Sequence, residues 1–267
     1  MKDKIIILLS TIMLFSCSSE DNDIEEPKEE PLKVELVATK ITVSIDEVVS
    51  FEVKTNKPFG SITYSTDSFT TSGSTSKSLG DSFGTSLTLY VNTANIGNIT
   101  YSIRVADAND NQKTATNTLS FTVEKGNAVH IQEVLVNDFY DKDTTWDTEF
   151  SNTDPNRLAD VFFSLSKPHI DLFSGQRFKA LWYKSTVKEN QGDLHWNLSE
   201  ESLYVNPNAL IHFGLADDDG GGVGQDLLLG PPFEKDINLS QYSNAQPSNI
   251  TLEDSSINLD VDFGLEW

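Results

Sequence analysis

Cysteine is nearly absent from this 267-residue chain, where Cys17 is the only one. A disulfide within the chain is therefore excluded, and folded segments must be held by burial and by any metal they bind. Basic residues are also scarce, with 19 Lys and Arg against 41 Asp and Glu and a formal net charge of -22. So acidic a surface repels phosphate backbones, which excludes nucleic acid as a partner, and is compatible with divalent cations. Beyond the first residues no stretch is apolar enough to span a membrane, and no window has helical periodicity. The histidines His130, His169, His195 and His212 are scattered, with none at zinc spacing. There is no nucleophile-elbow motif and no P-loop; Gly220–Gly224 lacks the Lys and following helix that phosphate binding requires. An enzyme is not expected. Acidic pairs leave a glycosidase open, but no spacing singles out an acid and a nucleophile.

The chain opens with Lys2 and Lys4, then the apolar run Ile5 to Phe15, too short to cross a bilayer. Leu14-Phe15-Ser16-Cys17 follows and resembles a bacterial lipobox. That resemblance implies a signal peptide at 1–16 and lipidation of Cys17. The lipid would attach the protein to a bilayer without a transmembrane helix. Residues 17–32 are polar, acidic and proline-bearing, the composition of a disordered, self-repelling linker. The acidic run after Cys17 also resembles the surface-export signal of Bacteroidota lipoproteins, and Ser18 at the next position fits outer-membrane sorting. The implied address is the outer membrane, facing out at the cell surface.

Residues 33–125 alternate with period two. Val49, Phe51 and Val53 point one way, as do Leu87, Leu89 and Val91, then Tyr101, Ile103 and Val105, then Leu119, Phe121 and Val123. Short alternating strands at this spacing predict a β-sandwich of about seven strands. Gly97 to Asp107 resembles the late-strand signature of immunoglobulin-like and polycystic-kidney-disease-type domains, in which a Tyr hydroxyl closes a corner; Tyr101 holds that place. Ser61 to Asp81, rich in Ser, Thr and Gly, is expected to form exposed loops or an edge hairpin.

Residues 128–267 begin a second alternation at Val129, Ile131, Val134 and Val136 and end on a strictly alternating run from Ile257 to Trp267. Between them lie two acidic loops joined to apolar strands. One runs from Asn137 to Asp154, ahead of a strand starting at Asp160, and carries Asp147, Trp146 and Phe150; the other is Leu215-Ala216-Asp217-Asp218-Asp219, continuing through glycines to Asp226. Asp154 to Asp160, His195-Trp196-Asn197, and the Asp217 to Asp226 loop resemble, in order and spacing, the first calcium loop, the Trp-Asn before a central strand and the Asp-x-Asp loop of the C2 domain. The resemblance implies an eight-stranded sandwich and a Ca²⁺ site built from Asp154, Asp160, Asp217, Asp219 and Asp226. No polybasic strand is present, which speaks against anionic lipid as the ligand. Trp146 and Phe150 are candidate ligand contacts.

The expected protein is all-β: two β-sandwich domains, immunoglobulin-like and then C2-like, behind a lipoprotein signal and acidic linker. It would bind or adhere through a calcium module to an unknown protein or glycan ligand. Two alternatives stay open. One is a glycan-binding lipoprotein of a polysaccharide-uptake system, stacking sugars on Trp146, Trp182 and Tyr183. The other is a structural subunit of a cell-surface complex.

Overall fold

The computed structural model describes residues 29–78, 80–220 and 224–267. The expected signal peptide at 1–16, Cys17 and most of the expected linker at 17–32 fall outside those residues. Among the described residues no helix is long and apolar enough to cross a membrane. The protein is all-β, with sheets facing one another across two hydrophobic cores.

The first core belongs to β1 (Val34–Ala38), β2 (Thr42–Ser44), β3 (Val49–Thr55), β4 (Phe59–Ser65), β5 (Gly73–Ser76), β6 (Ser86–Val91), β7 (Gly97–Asp107) and β8 (Thr114–Glu124). One sheet has the order β1-β3-β6 and the other β2-β8-β7-β4-β5. All pairings are antiparallel except β2 with β8. The alternation explains the burial: Val53, Ile103, Val105 and Phe121 are fully enclosed. Each such side chain contributes roughly 1.5–3 kcal/mol relative to exposure. Tyr101 is buried, and its hydroxyl accepts the Asn92 backbone N–H at 3.1 Å, closing the corner its sequence context implied. The Ser/Thr-rich stretch does form a hairpin, but only β5 is at the edge. β4 lies between β5 and β7 and buries Ile62.

The second core lies between sheets made of β9 (Val129–Asp138), β10 (Val161–Ile170), β11 (Arg177–Lys184), β12 (His195–Asn197), β13 (Tyr204–Val205), β14 (Ile211–Asp217), β15 (Gln225–Asp226), β16 (Lys235–Ile237), β17 (Asn249–Asp254) and β18 (Leu259–Glu266). In one sheet β9 and β18 are central, with β17 on one side and both β12 and β13 on the other. In its partner the order is β11-β10-β14, and β15 and β16 both pair with β14. Each sheet is thus four strand positions wide, with one edge position filled by two short segments. Phe163 lies at the centre, 5.1 Å from Trp196 in an edge-to-face contact and 5.9 Å from Phe213. Trp196 is buried and donates its indole N–H to the Thr186 carbonyl at 2.8 Å.

Residues 32–267 nevertheless form one compact unit. The loop between β10 and β11 reaches the first core. Phe173 meets Tyr64 edge-on at 5.5 Å, and the Tyr90 N–H donates to the Leu172 carbonyl at 2.8 Å. Asp171 shapes that loop by accepting the N–H groups of Phe173 and Ser174. Gly175 is required there: its φ is +68°, and an added Cβ would lie 2.6 Å from the Tyr90 ring. Lys167 of β10 is fully buried where the sandwiches meet, with its ammonium 2.9 Å from an Asp46 carboxylate oxygen. It also donates to the carbonyls of Ala94 at 2.7 Å and Tyr204 at 3.3 Å, and lies 4.2 Å from the centre of the Trp182 ring.

Candidate functional site

Strand pairing brings the two acidic loops to one end of the second sandwich. β14 is antiparallel to β10 and ends on Asp217, which faces Val161, the first residue of β10. Asp160 directly precedes that strand. Its N–H donates to Asp217 Oδ1 at 2.6 Å, while its carbonyl accepts the Asp218 N–H at 2.9 Å. These reciprocal bonds lock the loops together. The Asp160 carboxylate takes the Asn190 N–H at 2.7 Å.

Asp217 is 1% exposed. One of its carboxylate oxygens is satisfied by Asp160; the other, Oδ2, is buried with no hydrogen-bond partner. An orphaned buried carboxylate oxygen is costly unless it loses its charge or meets a cation. Burial, above all, pushes the Asp217 carboxyl up to about 6; the Asp160 amide opposes this, and the charges of Asp219, Asp147 and Asp160 add to it. Asp147 is likewise raised, first by burial and then by the charges of Glu149, Asp160 and Asp219.

Asp147, Asp217 and Asp219 each offer a carboxylate oxygen within 4.8 Å of the others. Two oxygens on opposite sides of a Ca²⁺ ion at ~2.4 Å are about 4.8 Å apart, so the triad fits inside one coordination sphere. Its all-oxygen chemistry suits a hard cation such as Mg²⁺, Ca²⁺ or Mn²⁺ better than zinc or copper.

Of the five aspartates expected as ligands, the structure gathers Asp217 and Asp219, with Asp160 beside them. Asp154 is elsewhere, capping the 3-10 turn Pro155–Arg157 by accepting the Asn156 N–H at 2.9 Å. Asp226 accepts the N–H groups of Leu228 at 3.1 Å and Gly230 at 2.5 Å, holding the turn after β15. Asp147 takes the place expected for them. It is presented because the N–H groups of Trp146 and Asp147 both donate to the Arg157 carbonyl, at 2.8 and 3.2 Å. Trp146 also packs on the second core and donates its indole N–H to the Asp141 carbonyl at 3.1 Å. Its role in the fold is to anchor the loop. No ligand-like spacing marked Asp147; the only signal was a Trp, an anchor for the loop, immediately before an Asp.

An open cleft of about 680 Å³ adjoins the triad. Asp147, Asp160 and Asp219 line it, with Trp146 and Phe150 on its wall. Phe150 is 37% exposed.

No family model matches this chain, and no curated protein matches it. Among solved structures it is similar to one described as dimeric latent PorU from Porphyromonas gingivalis, at 13% identity and a TM-score of 0.27. The match covers 81% of this chain and 20% of that one, so the chain spans about a fifth of that structure's length. A likeness at this score fixes neither fold nor activity.

Proposed function

We propose that the second sandwich is a calcium-binding module and that the protein acts by binding, held at the outer membrane surface through a lipid on Cys17. The observation that carries the calcium reading is the orphaned Oδ2 of Asp217, buried beside the carboxylates of Asp147 and Asp219. Three like charges at this separation repel strongly in a medium drier than water. A divalent cation converts the repulsion into attraction, and Ca²⁺ tolerates the irregular geometry that loops provide. The ion would brace the two acidic loops and leave its remaining coordination positions toward the cleft.

A sugar platform on Trp146, Trp182 and Tyr183 is less well supported. All three are partly buried against the second core, and the Trp182 ring is also 4.2 Å from the Lys167 ammonium.

The test is calorimetric titration and thermal melting of the purified protein with calcium and with chelator. Calcium at a hundred times its Kd should stabilise the fold by about 2.7 kcal/mol. Asp217→Asn retains an acceptor for the Asp160 N–H but removes the charge. Combined with Asp219→Asn, it should abolish the calcium-induced rise in Tm while leaving the fold intact by circular dichroism. An unchanged melt of the native protein in millimolar calcium sinks the proposal.

A further inference from the structure

The cleft beside the triad restricts what can occupy it. Its lining contains no Lys or Arg among the described residues. The walls instead carry the carboxylates of Glu149, Asp160, Glu189 and Asp218, which when ionised only accept hydrogen bonds. Asn156, Asn190 and Gln225 add amides that both donate and accept. Gln225 already donates to Asp219 at 3.1 Å. Phe150 stands at the wall as an exposed aromatic edge.

A phosphate or carboxylate ligand would meet repulsion and find few donors. An amine would suit the walls but would compete with the ion for the same oxygens. A hydroxyl meets both demands, giving a lone pair to the metal and a proton to a carboxylate. Calcium takes six to eight oxygens, and three carboxylates supply three to six, so positions remain for a pair of ligand oxygens. Resting on the calcium reading above, we infer that the cleft binds a neutral sugar, two neighbouring hydroxyls of which complete the coordination of the ion held by Asp147, Asp217 and Asp219. The apolar face of the pyranose ring would lie against Phe150, where an aromatic contact adds to the metal bond. The inference stands on the buried, unpartnered Oδ2 of Asp217 and on acceptor-rich walls whose lining holds no Lys or Arg among the described residues, the Lys184 ammonium lying behind them at 3.8 Å from Asp218; an acidic cluster without these would carry nothing. A cleft of about 680 Å³ lies within the usual size range of small-molecule sites.

The experiment separates the two claims. Calorimetry first records the calcium isotherm of the native protein. Saturation-transfer NMR then uses methyl α-D-mannopyranoside and methyl β-D-galactopyranoside as probes, each carrying a cis diol, in millimolar calcium and again in chelator. At least one glycoside should show transfer in calcium and lose it in chelator. Asp219→Asn should abolish that signal, and Phe150→Ala should reduce it several-fold. A normal calcium isotherm with no signal from either glycoside overturns the sugar inference and leaves the calcium reading standing. So does glycoside binding that persists in chelator, or calcium-dependent capture of phosphatidylserine vesicles without glycoside binding. Absence of a calcium isotherm overturns both.

Discussion

Two buried aspartates in this chain have opposite fates. Asp46, at the meeting of the sandwiches, has one oxygen 2.9 Å from the Lys167 ammonium and gives the other to the Asn206 N–H at 2.9 Å. Asp217, at the far end of β10, has one oxygen bound and the other left over. Burial costs both, but only at Asp46 does the protein itself supply the compensation. The Lys167 ammonium donates to the Ala94 and Tyr204 carbonyls and is ion-paired with Asp46 Oδ1, an oxygen that makes no hydrogen bond of its own. Burial lowers the Lys167 pKa, and the Asp46 charge partly restores it. A buried carboxylate that faces a cation of the protein's own serves the architecture. One left half-met points to something that arrives from outside.

The largest expected effect tests the satisfied half of that contrast. Lys167→Ala strands the Asp46 carboxylate and should cost about 3–5 kcal/mol. Chemical denaturation should show the loss, and a single transition should split in two if the sandwiches uncouple. Lys167→Met with Asp46→Asn should recover part of the stability, because an apolar pairing removes both desolvation costs. No recovery would mean that the pair is not the dominant element of the junction.

A smaller effect tests the unsatisfied half. The Asp217 carboxyl titrates higher in the folded protein than in the unfolded chain, up to about 6 from 3.8. The folded state therefore holds its proton more tightly. This contribution is fully present below pH ~4 and is lost as pH rises through about 6. In chelator it amounts to on the order of 3 kcal/mol. Thermal melts across pH 4 to 7 should show the fall, and Asp217→Asn should flatten it. Calcium requires the deprotonated carboxylate, so the rise in Tm that it causes should grow over the same interval.

The smallest effect discriminates among the aspartates themselves. Asp154→Asn should leave the calcium isotherm unchanged, whereas Asp147→Asn should weaken it more than tenfold. Equal losses at both positions would mean that the Asp154 cap opens to join the ion.

The period-two runs marked β3, β6, β7, β8, β9 and β18, because alternating burial is the physical signal itself, but left β4 and β17 unread. Tyr101 could also be read in advance from its local context; the Trp196 context implied a central strand to follow, but β12 and β13 both lie at the sheet edge beside β9. The divided edges could not be read in advance: β12, β13, β15 and β16 span two or three residues each, too short to show a period. The β10 pattern did hold a clue to the junction. Val161, Phe163 and Leu165 all face inward, and Lys167 occupies the next place in that series. A cation at an inward position asks for a carboxylate, but no local pattern said that Asp46 would come from the other sandwich. At the candidate site, Asp160 and Asp217 stand at strand ends and inherit their positions from the ladder. Asp154 and Asp226 are spent on nearby backbone groups, a use that depends on turn geometry and leaves no mark in spacing. Asp147 depends on how Trp146 folds the loop back.

One strand joins everything of interest here. β10 starts beside Asp160 and Asp217 and finishes at the loop docked on Tyr90. Its ten residues extend ~33 Å. Its ladders to β11 and β14 lie across that length, so tension applied at the cleft would run along the strand and load many cross-strand bonds together rather than peeling them one by one. A partner gripped at the tip would thus be held through shear, the direction in which a sheet yields least readily.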